Sequence, residues 1–243
     1  MKAVLLAAGF GTRLRPLTDR LPKCMVPIGG RPLLGIWIDM LLEDGCEKIL
    51  INTHYLPEVV RDFVQNHSNR GQLELFHEPK LLGTAGTLLA LASAIGNESF
   101  LCAHADNLAR IDLPQFRKRH RQRAKEVEIT MLAFDTDNPS ACGVVEENAL
   151  GVVTAFHEKS AHPPSRRANG AVYIMEPSVI GFIRGISGDS ADLSTQVLPH
   201  YCGRMQTWYD PDTYLRDIGT PESLRLARQE WSECESRQLR MAL

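Results

Sequence analysis

Four short apolar runs, each broken by glycine or polar residues and followed by a helical stretch, constrain this chain more than any other feature. Ala3 to Leu6 opens the series, Lys48 to Asn52 carries Ile49, Leu50 and Ile51, Leu73 to His77 alternates, and Phe100 to His104 closes it. Runs this short and apolar read as buried strands. Between them, Leu33 to Glu43 places Leu33, Leu34, Trp37, Ile38, Leu41 and Leu42 at helical spacing, and Gly45 supplies the stop. Pro57 to Val64 and Leu88 to Ile95 read as further helices, with a glycine turn at Gly83 to Gly86. Strands alternating with helices predict an α/β protein whose parallel sheet is covered on both faces. Ligands of such sheets sit at the carboxyl ends of the strands. Gly9, Gly11 and Asp106 all fall just past predicted strand ends, so one cleft is expected to hold them.

The second half is richer in strands. They are expected at Val127 to Phe134, Gly143 to Glu146, Gly151 to His157, Ala171 to Met175 and Met205 to Tyr209. Leu113 to Arg123 reads as a basic helix, Pro177 to Ile183 and Leu193 to Leu198 as short helices, and Ser160 to Arg167 as a mobile loop. Thr220 is a suitable N-cap for a last helix from Pro221 to Glu230, and the tail from Cys234 is expected to fray. No internal repeat or linker interrupts the chain, which predicts one domain over residues 1–243.

The first strand runs directly into Gly9-Phe10-Gly11-Thr12-Arg13-Leu14-Arg15-Pro16, with Pro22-Lys23 shortly after. A small-residue loop at a strand end can wrap backbone N–H groups around phosphate oxygens. Cations placed just behind it can neutralise a polyphosphate. Leu14 stands where a dinucleotide fingerprint needs its last glycine, no acid follows the second strand at Ile51-Asn52-Thr53, and the Gly-Lys-Ser/Thr ending of a Walker loop is missing. Both of those loops are disfavoured, and with the first of them a nucleotide-cofactor oxidoreductase. A net charge of −2 gives no general attraction to nucleic acid or anionic membrane. The run Arg117 to Lys125 is basic but lacks interleaved aromatic residues, and reads as a solvated helix face. Six scattered cysteines without a CxxC pair read as reduced thiols, no apolar run reaches a membrane span, and a cytoplasmic protein is expected. His54, His77, His104, His157 and His200 have no metal spacing, and no sequence feature assigns an oligomeric state.

Leu6-Ala7-Ala8-Gly9-Phe10-Gly11-Thr12-Arg13-Leu14-Arg15-Pro16-Leu17-Thr18, followed by Pro22-Lys23, closely resembles the signature of the sugar-1-phosphate nucleotidyltransferases, the nucleotide-sugar pyrophosphorylases. Further matches follow in the family's order. Leu82-Gly83-Thr84-Ala85-Gly86 resembles its base-binding turn, and Asp106 its first metal aspartate. Glu158-Lys159 and Asn169-Gly170-Ala171-Val172-Tyr173 resemble its sugar-binding segments, and Asp217-Ile218-Gly219-Thr220-Pro221-Glu222 its second metal aspartate. The resemblance implies a Rossmann-like nucleotidyltransferase fold, with a mixed, mostly parallel central sheet flanked by helices and a sugar-binding insertion. The hexapeptide β-helix that many relatives carry at the C-terminus is not expected. Cys24, His104-Ala105 and Ser160 depart from the usual proline, glycine and proline.

The implied reaction is attack of a sugar 1-phosphate on the α-phosphorus of a nucleoside triphosphate. The resemblance assigns Arg13 and Lys23 to catalysis. It gives Leu6, Ala7, Ala8, Gly9, Gly11, Thr12, Arg13, Gly83, Thr84, Ala85, Gly86 and Asp106 to the nucleotide. Lys23, Gly143, Glu158, Lys159 and Asn169 fall to the sugar phosphate, and Asp106 and Asp217 to Mg²⁺. Magnesium suits such a site because it takes oxygen ligands from one or two carboxylates plus substrate phosphates. The Leu82–Gly86 turn and the segment Asp192 to Pro199 most resemble the guanylyltransferase branch acting on mannose or manno-heptose 1-phosphate. Thymidylyl or uridylyl transfer, and a non-catalytic nucleotide-sugar sensor, are the alternatives.

Overall fold

A computed structural model describes residues 1–186 and 190–241. In chain order the strands and helices of the first half are β1 (Ala3–Leu6), β2 (Pro27–Ile28), β3 (Arg31–Pro32), α1 (Leu33–Glu43), β4 (Ile49–Thr53), α2 (Pro57–Gln65), β5 (Leu73–His77), α3 (Gly83–Ala90), α4 (Ala92–Ile95), β6 (Phe100–His104) and β7 (Asn107–Arg110). The second half holds α5 (Leu113–Arg121), β8 (Ile129–Asp135), β9 (Gly143–Glu147), β10 (Val153–Glu158), β11 (Arg167–Met175), α6 (Ser178–Arg184), β12 (Met205–Tyr209), β13 (Tyr214–Asp217) and α7 (Pro221–Met241).

Nine of these strands form one sheet. Its main row runs β12-β8-β11-β6-β1-β4-β5, and only β11 opposes the others. The mixed, mostly parallel sheet is therefore as expected. Strand β11 is longer than the sequence suggests, because its first residues pair elsewhere. Beyond the reach of β6, Ala168 pairs with Val144 of β9, and β9 carries β10 as a hairpin. That hairpin is the additional subregion beside the main row.

Alternation along the strands divides the core between two faces. Ala3, Leu5, Ile49 and Ile51 pack toward Trp37, Ile38, Phe116 and Leu224 on α1, α5 and α7. Val4, Leu6, Leu50 and Cys102 pack toward Ala85, Leu88, Val179 and Ile183 on α3 and α6. Both faces are covered, which explains why β1, β4 and β6 read as unbroken apolar runs, while the edge strand β5 alternates.

Several local expectations change. Helix α3 begins at Gly83 itself, so the glycine turn is the helix's first turn, and a break at Leu91 separates α4. Leu193–Val197 forms a single π-helical turn. Thr220 caps α7 as predicted, its Oγ1 accepting from Ser223 N at 3.1 Å, and the helix extends beyond Glu230 to Met241. The basic run is not a plain solvated face. Arg117 pairs with Asp44 at 2.7 Å, Arg119 donates to the Leu150 carbonyl at 2.8 Å, and His120 is buried.

The ribbon of β7 and β13 was not foreseen, and it positions the site. Its antiparallel register sets Asp217 opposite Asn107, one residue beyond Asp106. Trp37 of α1 donates to the Asn107 carbonyl at 2.8 Å, and Arg216 holds Glu230 of α7 through two bonds at 2.7 and 2.5 Å. Two helices thus fix the ribbon from below.

Candidate active site

The carboxyl ends of β1, β4 and β6 lie level, with Leu6 facing Asn52 on one side and His104 on the other. The chain leaving β1 is held there by Asn52, whose Oδ1 accepts from Ala7 N at 2.6 Å. The loop then folds on itself: the Gly11 carbonyl accepts from Leu14 N at 3.0 Å and from Thr18 Oγ1 at 2.8 Å. Thr12 to Leu14 form one 3-10 turn, which turns Arg13 outward and buries Leu14. Arg15 pairs with Asp19 at 3.3 Å, outside the cluster described next.

Lys23 is the centre of the charge at this end. Its ammonium is only 7% exposed and donates to Asp106 Oδ2 at 2.9 Å and Asp217 Oδ1 at 2.8 Å. Arg13 stands 3.8 Å from the other oxygen of Asp217. Gly219 leaves room for that approach, since a β-carbon there would lie 2.6 Å from the Arg13 guanidinium and 2.7 Å from the Asp217 carboxylate. Burial alone would lower the Lys23 pKa, but the two carboxylates outweigh it and hold the lysine above its ordinary value. Burial would likewise raise the Asp106 carboxyl, yet the Lys23 charge beside it keeps it below the usual range. Cys24 next door is buried, and burial pushes its thiol up to about 12, so it is no nucleophile.

Beside this cluster opens a cavity of about 230 Å³, lined among others by Leu6, Gly9, Asn52, Glu78, Gly83, Thr84, His104 and Asp106. Larger grooves elsewhere, of about 490, 520 and 550 Å³, are lined by none of the predicted site residues. One wall is a buried polar network. Asn52 Nδ2 donates to Glu78 Oε1 at 2.9 Å, Thr87 Oγ1 donates to the same oxygen at 2.5 Å, and Leu82 N donates to Glu78 Oε2 at 3.1 Å. Glu78 thereby anchors the start of α3. The Ala85 and Gly86 amides are taken by the Ala191 carbonyl at 2.9 and 3.2 Å, so Gly83 and Thr84 are the residues of this turn that line the cavity. Gly83 has φ +76°, and a β-carbon there would stand 2.4 Å from the Ala191 oxygen. Only glycine fits both demands. His104 closes the far side, with its buried Nε2 lacking a hydrogen-bond partner among the described residues.

The predicted acceptor residues gather on β9, β10 and β11. Gly143 is the register partner of Glu158, whose carboxylate lies over it, 2.7 Å from where a β-carbon would stand. Burial raises the Glu158 carboxyl above its ordinary value, and Asp192 adds to this against the pull of Lys159. Lys159 adopts φ +46°, its N donating to the Cys142 carbonyl at 3.2 Å. Asn169 is held at both ends of its amide: Oδ1 accepts from Ala171 N at 2.9 Å, and Nδ2 donates to the Tyr173 hydroxyl at 2.8 Å. Asp192 links this side to the cavity by accepting from Thr84 Oγ1 at 3.0 Å.

The profile of the nucleotidyl transferase family matches residues 2–233. The chain belongs to that family. The mannose-1-phosphate guanylyltransferase of Mycobacterium tuberculosis is 33% identical over 224 residues, 90% of this chain and 61% of that protein. The UTP–glucose-1-phosphate uridylyltransferase AglF of Haloferax volcanii is 30% identical over 237 residues, 96% of this chain and 97% of its own. The chain thus spans only about three fifths of the mycobacterial relative. The crystal structure of HddC from Yersinia pseudotuberculosis, complexed with GMP-PN, superposes with a TM-score of 0.78 at 22% identity, covering 95% of this chain and 99% of HddC. The α/β architecture is the Rossmann-like nucleotidyltransferase fold that the sequence implied.

In this member of the family the structure brings Lys23, Asp106, Asp217 and Arg13 into one cluster, although 194 residues separate Lys23 from Asp217. Sequence reasoning did not foresee Asn52, Thr87 or Asp192. Asn52 carried a usable signal, a polar residue closing an apolar strand where ligands of parallel sheets gather. Thr87 carried none, and Asp192 only the resemblance of its segment to the guanylyltransferase branch, since the roles of both depend on contacts across the chain.

Proposed function

We propose that this chain transfers a nucleotidyl group from GTP to a mannose- or manno-heptose-type sugar 1-phosphate, forming an NDP-sugar and releasing pyrophosphate. The observation that carries the reading is the meeting of Lys23, Asp106, Asp217 and Arg13 at the edge of the cavity formed by Leu6, Asn52, Gly83 and Thr84. An acceptor phosphate oxygen forms the new bond to the α-phosphorus, and the bond from that phosphorus to the bridging pyrophosphate oxygen breaks. Such a transfer needs position and positive charge rather than a base, because the nucleophile is already anionic. The loop amides from Ala8 to Thr12 face the phosphates, Arg13 balances charge on the leaving pyrophosphate, and Lys23 holds the reacting phosphates together. The base lies against Gly83 and Thr84, and its ribose near Asp106. Glu158, Asn169 and the backbone at Gly143 orient sugar hydroxyls, with Lys159 on the sugar phosphate.

Two carboxylates already converge on one cation here, the Lys23 ammonium. Asp106 and Asp217 fit a Mg²⁺ ion on that ground, with its remaining ligands coming from substrate, as magnesium prefers. The metal would neutralise phosphate charge. GTP and a manno-configured acceptor are supported by the Leu82–Gly86 turn and by the mycobacterial relative's higher identity than AglF's. The five described cysteines are unpaired, which supports a reducing, cytoplasmic setting; among the described residues no helix is long and apolar enough to cross a membrane. The test is pyrophosphate release with Mg²⁺, four ribonucleoside triphosphates, dTTP and a panel of sugar 1-phosphates. GTP with a manno-configured phosphate should give the highest kcat/KM. Preference for UTP or dTTP would overturn the substrate assignment, and no turnover with any pair would make the protein a sensor.

A further inference from the structure

The carboxylate pair is closed by a cation of the protein's own. Lys23 uses two of its three ammonium protons on Asp106 and Asp217. Its stem lies under the phosphate loop, with its Cβ 3.0 Å from where a β-carbon on Gly11 would be. Arg13 adds a second cation, so two positive groups face two negative ones and the cluster is balanced. A divalent ion entering alone would add two charges to a balanced site and would meet the buried ammonium where it must sit. We propose that Lys23 is the resident counter-ion of the free enzyme, and that a divalent metal takes Asp106 and Asp217 only by exchange, when a triphosphate arrives to receive the lysine.

The inference rests on the transferase reading of this site and deepens it. A triphosphate carries about four negative charges, enough to accept both the displaced ammonium and the entering metal. The four-carbon stem of lysine lets the ammonium swing without moving the backbone. Metal and nucleotide then bind as a coupled pair, each raising the affinity of the other, and free metal binds the empty enzyme poorly. Lys23 acts twice: it keeps the two carboxylates together beforehand and it clamps phosphates afterwards.

Mn²⁺ alone, titrated into the nucleotide-free protein and followed by electron paramagnetic resonance, tests the exchange. Lys23→Met should bind Mn²⁺ at least about tenfold more tightly than wild type, because it removes the charge that competes with the metal. Lys23→Gln, which keeps hydrogen-bond donors for the carboxylates, should do the same and guards against a fold defect in the first variant, with far-UV circular dichroism as the check. Adding Asp217→Asn to Lys23→Met should return binding to the weak wild-type level. Equal or weaker Mn²⁺ binding in the folded Lys23 variants overturns the proposal, as does tight binding that survives Asp217→Asn. Turnover by wild type without tightening would remove the exchange and leave the transferase reading intact. Tightening without turnover of any substrate pair would do the reverse.

Discussion

Two clusters of buried charge sit at opposite ends of the same sheet, and they are built differently. At the carboxyl end, Lys23 is held by Asp106 and Asp217, and Asp217 remains 56% exposed beside an open cavity. At the amino end, Glu176 Oε1 accepts from Ser99 Oγ at 2.6 Å and from His120 Nε2 at 2.9 Å, and pairs with Arg123 at 2.7 Å. His120 continues the chain through Nδ1 to Thr130 Oγ1 at 2.7 Å, which also accepts from Gln206 Nε2 at 2.9 Å. The second network closes on itself: each of its charges meets a protein partner, and it joins β6, β8, β11, β12 and α5. In the first, Asp106 lines the cavity and Asp217 is more than half exposed. Charge pairing by itself therefore says little about function; what separates the clusters is exposure, with Asp217 56% exposed at the first and Glu176 23% at the second.

The largest effect expected from this contrast is on turnover. Asp106→Ala or Asp217→Ala should lower kcat by about a thousandfold, in line with losing one member of a preorganised electrostatic site. Thermal stability should change little, because Lys23 keeps its other carboxylate. Full activity in either variant would remove that residue from the site, and a fall in melting temperature without loss of turnover would make the two clusters alike. Glu176→Gln should behave in the opposite way. It removes the charge that answers Arg123, and should cost about 2 kcal/mol of stability, or roughly 6 °C in melting temperature for a domain of this size. Its kcat should stay within twofold of wild type. A large kcat loss at unchanged stability would break the comparison from the other side.

Sequence and structure agree best where the signal is local. Strands β1, β4 and β6 are read correctly because a parallel sheet covered on both faces demands unbroken apolar runs, whereas the short β2 and β3 and the ribbon strand β7 are not. Gly9, Gly11 and Asp106 are legible because they follow such runs directly. Asp217 could be matched to a motif, but its meeting with Lys23 could not be derived, since it depends on the β7–β13 ribbon. Tyr214-Leu215-Arg216-Asp217 has too short a pattern to announce a strand, and its partner Asn107–Arg110 follows the Asp106 turn with no break of composition. The basic run Arg117 to Lys125 is a solvated face only in part, for a related reason: charge in a sequence does not reveal partners such as Asp44, Leu150 and Glu176 that lie far along the chain. Long-range pairing, not propensity, is what one sequence conceals.

The smallest expected effect is a dependence on pH confined to the amino-end network. Burial holds His120 below its ordinary value of 6.5, and the Arg123 charge adds to this against the pull of Glu176. Both ring nitrogens are engaged, Nε2 with the Glu176 carboxylate at 2.9 Å and Nδ1 with the Thr130 hydroxyl at 2.7 Å, and the Glu176 bond only partly offsets the effect of burial. In the unfolded chain the ring takes up its proton near pH 6.5; in the folded protein it does so only at lower pH. The unfolded state thus binds more protons in this window, and stability must fall as pH drops through it. His120 contributes fully above pH 6.5 and progressively less below. The protein holds eight histidines, so the comparison is between slopes. From pH 7.5 to 5.5, wild type should lose about 1 kcal/mol more than His120→Asn, measured by urea unfolding at each pH. Parallel curves would mean that the ring is protonated as readily folded as unfolded, and that the closed network at this end tolerates the same change of charge that an open site would.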